Sequence, residues 1–215
     1  MRVISGQAKG RKLLSVRGPG TRPITDRAKS ALFSILGQGV RDATFLDLFA
    51  GTGQVGIEAL SRRAKLAVFV ELRGIAIRTI HQNLALTGLE DRAEVIHADV
   101  FRYLNRPPPT TSSLAEHTGH PQTSFDYVYI APPQYRKLWI RTLRMIDQQP
   151  AWLSEHGWAI VQIHPEEYQA PGETGPHGYQ FNLENLALFD QRKYGSVMLC
   201  FYERLKKSGP ESNSG

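Results

Sequence analysis

Short apolar runs alternate with amphipathic stretches along most of this chain. Phe45-Leu46-Asp47-Leu48-Phe49 reads as a buried strand, and Gln54 to Arg62 as the helix after it. Leu66-Ala67-Val68-Phe69-Val70-Glu71 is a second strand. Ile75 to Thr87 follows as a helix, with a stripe at Ala76/Ile77, Ile80 and Leu84 and with Gly88 as its C-cap. Glu94 to Asp99 and Tyr127 to Ile130 read as the third and fourth strands. Leu138 to Ile146 suits a helix, because Trp139, Leu143 and Ile146 recur at helical spacing. Trp158 to Ile163 is a fifth strand. Leu186–Phe189 and Val197–Tyr202 form a last β-rich pair, joined across Arg192-Lys193-Tyr194-Gly195. Strands alternating with helices imply βαβ units and an α/β fold whose mostly parallel sheet is covered on both faces, with a C-terminal antiparallel hairpin.

The two ends and one internal stretch depart from that rhythm. Val3-Ile4-Ser5 and Arg11 to Val16 flank Gly6-Gln7-Ala8-Lys9-Gly10, the pattern of a hairpin. Gly18-Pro19-Gly20 and Arg22-Pro23 signal loop. Thr25 or Asp26 caps a helix running to about Leu36, with its apolar stripe at Ala28, Ala31/Leu32 and Ile35, and with Arg27 and Lys29 off that stripe. Asn105 to Ser124, rich in Pro, Thr, Ser and His, has no periodicity and reads as a flexible insertion. Lys206 to Gly215 reads as a disordered polar tail. The expected organisation is a basic hairpin-and-helix arm at 1–42, a sheet domain at 43–205 with residues 105–124 inserted, and the tail at 206–215.

Composition adds exclusions, and charge adds a location. The 215 residues are 41% hydrophobic and 21% charged, values of an ordinary globular chain rather than a fibrous or wholly disordered one. No apolar run approaches a membrane span, and the opening residues lack a signal-peptide core. The single cysteine, Cys200, cannot form an internal disulfide and fits a reducing, cytoplasmic location. The net charge is +6, but it is uneven: residues 1–41 carry +8 and the other 174 carry −2. Arg2, Lys9, Arg11, Lys12, Arg22 and Arg27 give the front end the chemistry of an arm that tracks nucleic-acid phosphates. The bland alternative is a solvated basic face.

Gly51-Thr52-Gly53-Gln54-Val55-Gly56 matches G-x-G-x-x-G between a strand and a helix, and Glu71 ends the next strand 20 residues after Gly51. Read literally, that is the dinucleotide fingerprint, which suggests an NAD-dependent oxidoreductase. Asp47 argues otherwise. It sits four residues before Gly51, near the end of the strand, where a carboxylate would repel a pyrophosphate and attract a ligand with a cationic end, such as S-adenosylmethionine. Asp47, Glu71 and Asp99 end three successive strands, so all three are expected at one crevice. A metal is not expected: His81 and His97 read as ordinary structural residues, and His117 and His120 fall in the insertion.

With these residues in place, the chain resembles the RsmD family of 16S ribosomal RNA (guanine-N2)-methyltransferases over about residues 1 to 205. Arg2-Val3-Ile4-Ser5-Gly6 and Gly10-Arg11-Lys12-Leu13 look like the family's opening. Arg22-Pro23-Ile24-Thr25-Asp26-Arg27 with Ala31-Leu32-Phe33 looks like its R-P-T-x-D-R…LF signature. Asp47-Leu48-Phe49-Ala50-Gly51-Thr52-Gly53 looks like its cofactor motif, and Glu58-Ala59-Leu60-Ser61-Arg62 like the helix after it. The resemblance implies a Rossmann-like class I methyltransferase sheet and S-adenosylmethionine at Asp47, Phe49, Gly51, Gly53, Glu71, Asp99 and Val100, with Glu71 on the ribose and Asp99 near the adenine amine. It implies ribosomal RNA or a small-subunit particle as partner. Related amino-group methyltransferases carry Asp/Asn-Pro-Pro-aromatic after the fourth strand. Here that tetrad is Ala131-Pro132-Pro133-Gln134, with Tyr135 next. The Ala131 and Pro132 carbonyls are therefore the expected acceptors for a target amine, Pro133 stiffens the loop, and Tyr135 is the expected stacking ring. The alternatives are a non-catalytic RNA-binding protein on this scaffold, the NAD reading above, and, more weakly, a DNA amino-methyltransferase.

Overall fold

The computed structural model describes residues 1–16, 24–108, 124–134, 137–174 and 180–205. Thr25 caps the first helix, α1 (Asp26–Leu36), by accepting from Ala28 N–H. The alternating body follows: β1 (Thr44–Leu48), α2 (Gln54–Ser61), β2 (Leu66–Glu71), α3 (Gly74–Thr87), β3 (Ala93–His97), α4 (Val100–Leu104), β4 (Phe125–Ile130), α5 (Leu138–Gln148), β5 (Leu153–Ile163), β6 (Leu186–Tyr194) and β7 (Val197–Arg204). The strands form one sheet in the order β3-β2-β1-β4-β5-β7-β6. It is parallel from β3 to β5, and β7 runs antiparallel to both β5 and β6.

Both faces of the central strands are buried, so β1 and β2 read as continuous apolar runs rather than as alternation. One face carries Phe45, Phe69, Tyr129 and Ile160 against α1, α2 and α3. The other carries Leu46, Val68, Val128 and Val161 against α4 and α5 through Leu104, Trp139 and Leu143. The order reverses at β1, whose neighbours are β2 and β4. Chains leaving those strands on opposite sides open a crevice at their C-terminal ends.

The boundaries differ from expectation in three informative places. The strand expected at Glu94–Asp99 ends at His97, and Asp99 instead caps α4, accepting from Phe101 and Arg102 N–H at 3.0 and 3.1 Å. Five residues are too few for α4 to show helical periodicity in sequence. The last hairpin pairs as far as Tyr194↔Val197, so Arg192 to Tyr194 are strand, and the turn tightens at Gly195, which has φ +62°. In α1 the buried stripe is Ala28, Lys29, Leu32, Phe33 and Leu36. Lys29, expected on a solvated face, is fully buried because Glu58 meets its ammonium at 3.2 Å. The insertion's residues 109–123 and the tail at 206–215 lie outside the described residues.

The first 16 residues fold onto α2. Val3 N–H donates to Arg11 C=O at 3.0 Å, Gly10 N–H to Val3 C=O at 2.9 Å, and Arg2 bridges antiparallel to Lys12. Val3, Ala8 and Leu13 enter the same apolar cluster as Phe45 and Leu60. Gly6, at φ +83°, lies so close to α2 that a Cβ there would stand 1.9 Å from the Ser61 carbonyl oxygen.

Candidate functional site

Glycines set up the loop after β1. Gly51 has φ +58° and Gly53 has φ +75°, conformations that only glycine adopts without strain. Phe49, at φ +60°, adopts the left-handed region as a bulky residue, a local strain of the kind that clusters at functional sites. Gly56 is required for another reason: a Cβ there would meet the Phe69 ring at 2.3 Å. The loop and the neighbouring strand ends enclose a cavity of about 490 Å³ at the crevice.

The cavity gathers most of the expected cofactor residues: Asp47, Phe49, Gly51, Glu71, Asp99 and Val100 all line it. Gly53 does not. Its missing side chain faces Ile57, Phe69 and Ile80, where a Cβ would find contacts at 3.3–3.4 Å, so this glycine serves the packing of α2 and α3 on β2. Ala131, Pro132 and Pro133 line the same cavity from the end of β4. Ala131 N–H donates to Leu48 C=O at 3.4 Å, which extends the β1–β4 ladder by one residue. Tyr135, expected as the stacking ring, lies outside the described residues.

The acids hold the loop. Asp47 is buried, and its Oδ2 accepts from Gly56 N–H at 3.0 Å. Burial, reinforced by the nearby Glu71 charge and opposed by that hydrogen bond, pushes its carboxyl up to about 8. Glu71 Oε2 accepts from Gly51 N–H at 2.8 Å, and Oε1 accepts from Leu72 and Arg73 N–H at 3.0 and 2.9 Å. Two further loop amides are used as well: Gly53 N–H donates to Ala50 C=O and Ala50 N–H to Val70 C=O. A dinucleotide fingerprint offers free amides and a bare helix N-terminus to a pyrophosphate. Here the Gly51 and Gly56 amides already donate to the Glu71 and Asp47 carboxyl groups, and Asp47 brings an acid to the helix start, so the NAD reading does not fit.

Sequence reasoning missed several lining residues. Gln54, the first residue of α2, donates through Nε2 to Ile24 C=O at 2.8 Å, while its buried Oε1 has no partner among the described residues. Gln162 comes in from β5, where the Tyr129 hydroxyl donates to its Oε1. Phe101 meets Phe49 edge-on at 6.2 Å, and the Arg141 guanidinium lies over its ring at 3.9 Å from the centroid. Met1, Ser15, Val16 and Ile24 of the N-terminal segment complete one wall. Asn83 joins that segment to the loop, with Nδ2 donating to Leu14 and Thr52 C=O and Oδ1 accepting from Leu14 N–H. For Gln54, Phe101 and Gln162 the only advance signal was a position near a strand or helix end.

Of the basic arm, Arg2, Lys9, Arg11, Lys12 and Arg27 are exposed, and Arg2 pairs with Asp26 at 3.3 Å. Arg22 lies outside the described residues. Among the described residues no three His, Cys, Asp or Glu side chains gather as a metal site, and no helix is long and apolar enough to cross a membrane.

Comparison with known proteins agrees with this geometry. The profile of the family described as "Conserved hypothetical protein 95" matches residues 1–203. The putative rRNA methyltransferase YlbH of Bacillus subtilis is 32% identical over 204 residues, covering 95% of this chain and 99% of that protein. Ribosomal RNA small subunit methyltransferase D of Escherichia coli K12 is 31% identical over 205 residues, covering 95% and 90%. The solved structure of the putative methyltransferase yhhF from Escherichia coli superposes with a TM-score of 0.72 at 27% identity, over 95% of this chain and 97% of that one.

Proposed function

The chain belongs to the Conserved hypothetical protein 95 family, the RsmD family, and from that premise we propose that it methylates small-subunit ribosomal RNA at the exocyclic N2 of a guanine, with S-adenosylmethionine as methyl donor. The observation that carries this reading is the acid beneath the glycine loop. Asp47 caps α2 through Gly56 and lines the cavity, so the site favours a cation over a phosphate. The donor set fits the cofactor: Asp47 and the unpartnered Gln54 Oε1 are acceptors for an ammonium group. Bound there, the cofactor would supply a methyl group activated on a sulfonium.

The chain's own residues then position and align. Glu71 takes ribose hydroxyls, Asp99 an adenine amine, and Phe49, Val100 and the Gly51 backbone form the walls. The Ala131 and Pro132 carbonyls accept from the target amine, which aims its lone pair at the methyl group. Alignment is the main demand of a direct transfer, so backbone acceptors suffice. Pro132 and Pro133 stiffen that turn, and Tyr135 stacks on the base. Arg2, Lys9, Arg11, Lys12, Arg22 and Arg27 grip the RNA backbone from the arm bordering the cavity. The protein works in the cytoplasm on RNA or an assembling small-subunit particle.

Labelled methyl transfer to unmodified small-subunit particles tests this directly, with the product mapped by mass spectrometry. N2-methylguanine at one position is expected; methyl on another base or atom overturns the assignment. Ala131, where related enzymes have a polar side chain, supports a second reading as a non-catalytic RNA-binding protein. Cofactor binding with no transfer to free RNA or particles would favour it.

A further inference from the structure

We propose that Gln162, with its amide orientation locked by Tyr129, reads the edge of the target base and selects guanine over adenine-type purines. The inference rests on the methyltransferase reading above and assigns a specificity-determining residue within it. Its basis is register. β4 and β5 pair in parallel at Tyr129↔Ile160 and Ile130↔Val161, so the next residues, Ala131 and Gln162, stand side by side at the ends of these strands. Both line the cavity. The proposed cofactor residues Asp47 and Glu71 lie on β1 and β2, on the other side of β4. Gln162 therefore sits on the target-base side, beside the proposed amine acceptors.

The lock follows from Tyr129. Its ring is buried on the same sheet face as Asp47, and its hydroxyl donates to Gln162 Oε1. Burial, with a smaller contribution from Asp47, raises the hydroxyl's pKa well above the usual phenol value, so it keeps its proton. A flipped amide would turn Nε2–H toward that oxygen and leave the buried O–H without the acceptor it has here, which disfavours the flip. An amide held this way keeps its oxygen toward Tyr129 with a second lone pair free, and its NH₂ is left to donate. Guanine presents O6 as acceptor and N1–H as donor beside its N2 amine, which matches Nε2–H and Oε1 in that order. A purine with a 6-amino group presents the reverse order, and an unlocked amide would flip to meet it. Tyr129 holds the flip that suits guanine.

The test uses the full-length protein and the mapped RNA target, with its guanine replaced by 2-aminopurine or 2,6-diaminopurine by ligation. Both analogues keep the 2-amino group and lack O6 and N1–H. Wild-type kcat/KM is expected to favour guanine by about 10- to 100-fold, the range of one bidentate base contact. Gln162→Ala should lose most of that ratio, and Tyr129→Phe should raise 2,6-diaminopurine transfer relative to guanine about tenfold. Calorimetric binding of S-adenosylhomocysteine within about twofold of wild type shows that both variants keep a formed cofactor site. A Gln162→Ala enzyme that keeps the full guanine preference overturns the proposal alone. An unchanged ratio in Tyr129→Phe overturns the lock. Absence of wild-type transfer to guanine overturns the methyltransferase reading and this inference together.

Discussion

Replacing Asp47 by Asn separates what this acid does for the ligand from what it costs the fold. With its carboxyl pushed up to about 8, Asp47 is mostly protonated in the ligand-free protein at pH 7. A cationic ligand beside it favours the carboxylate, so binding expels that proton. The expected release approaches one proton per ligand at pH 7 and declines as pH rises through about 8. Below pH 8 affinity should fall up to about tenfold per unit, since one pKa unit is about 1.4 kcal/mol. S-adenosylhomocysteine is the suitable probe. Calorimetry in buffers of different ionisation enthalpy counts the protons, and Asp47→Asn should release none from this position. At pH 7 the ligand's amine is already protonated when free and when bound, so the difference between the two proteins there reports mainly on Asp47.

The same substitution should act with opposite sign on stability. The folded carboxyl titrates far above its ordinary value of 3.8. Its contribution is fully present below about pH 4 and is lost as pH rises toward 8, because the native state holds a proton that the unfolded chain releases. Asn keeps an acceptor for Gly56 N–H without a charge. Ligand-free Asp47→Asn should therefore melt higher than wild type at pH 8 while binding S-adenosylhomocysteine more weakly. A wild-type proton count near zero at pH 7, or a variant with unchanged affinity, would refute the reasoning.

Three further outcomes are expected. Glu58→Ala strands the buried Lys29 ammonium and frees the Ile4 and Ser5 amides, so stability should drop by about 3–5 kcal/mol in denaturant unfolding; Lys29→Met together with Glu58→Leu should recover part of that loss. Gly56→Ala drives a methyl into the Phe69 ring and should cost about 1–3 kcal/mol in the same assay, with weaker S-adenosylhomocysteine binding because α2 shifts on Asp47. RNA affinity should fall steeply with salt, and Arg11→Ala with Arg27→Ala should lower the logarithmic slope by roughly one to two; a flat salt profile would remove the arm from RNA binding.

Wherever a hydrophobic period was long enough to read, the fold was legible in the sequence. The run Leu66 to Glu71 became β2 residue for residue, and Ile75 to Thr87 became α3 with one residue added. α4 escaped because five residues complete barely more than one turn, and Asp99 looked like a strand end because its capping role needs that helix. Within the site, Asp47 and Glu71 were legible as strand-end acids, and Asp99 as an acid at the same crevice. Gln162 and Gln54 were not: a glutamine at the end of an apolar strand or the start of a helix has the same sequence signature whether it faces solvent, core or ligand. Lys29 was misplaced for a related reason. A lysine in a basic run reads as solvated until its partner is known, and Glu58 lies 29 residues away.

That pair bears on how the basic arm relates to the cavity. Glu58 is fully buried and accepts from Ile4 and Ser5 N–H at 2.8 and 3.0 Å, from Arg62 Nε at 2.9 Å, and from Lys29 at 3.2 Å. Lys29 in turn donates to Arg2 C=O at 2.7 Å. One carboxylate thus ties the N-terminal hairpin, α1 and α2 together, and α2 is the helix that Asp47 caps from below. A hairpin of 16 residues is too small to hold a shape alone. This one borrows its shape from α2 through backbone amides, which leaves the Lys9, Arg11 and Lys12 side chains exposed. Its far end, at Ser15 and Val16, then serves as cavity wall. The surface that would grip RNA and the pocket that would hold the methyl donor therefore share a support, and a change at Glu58 should disturb both even though Glu58 touches neither.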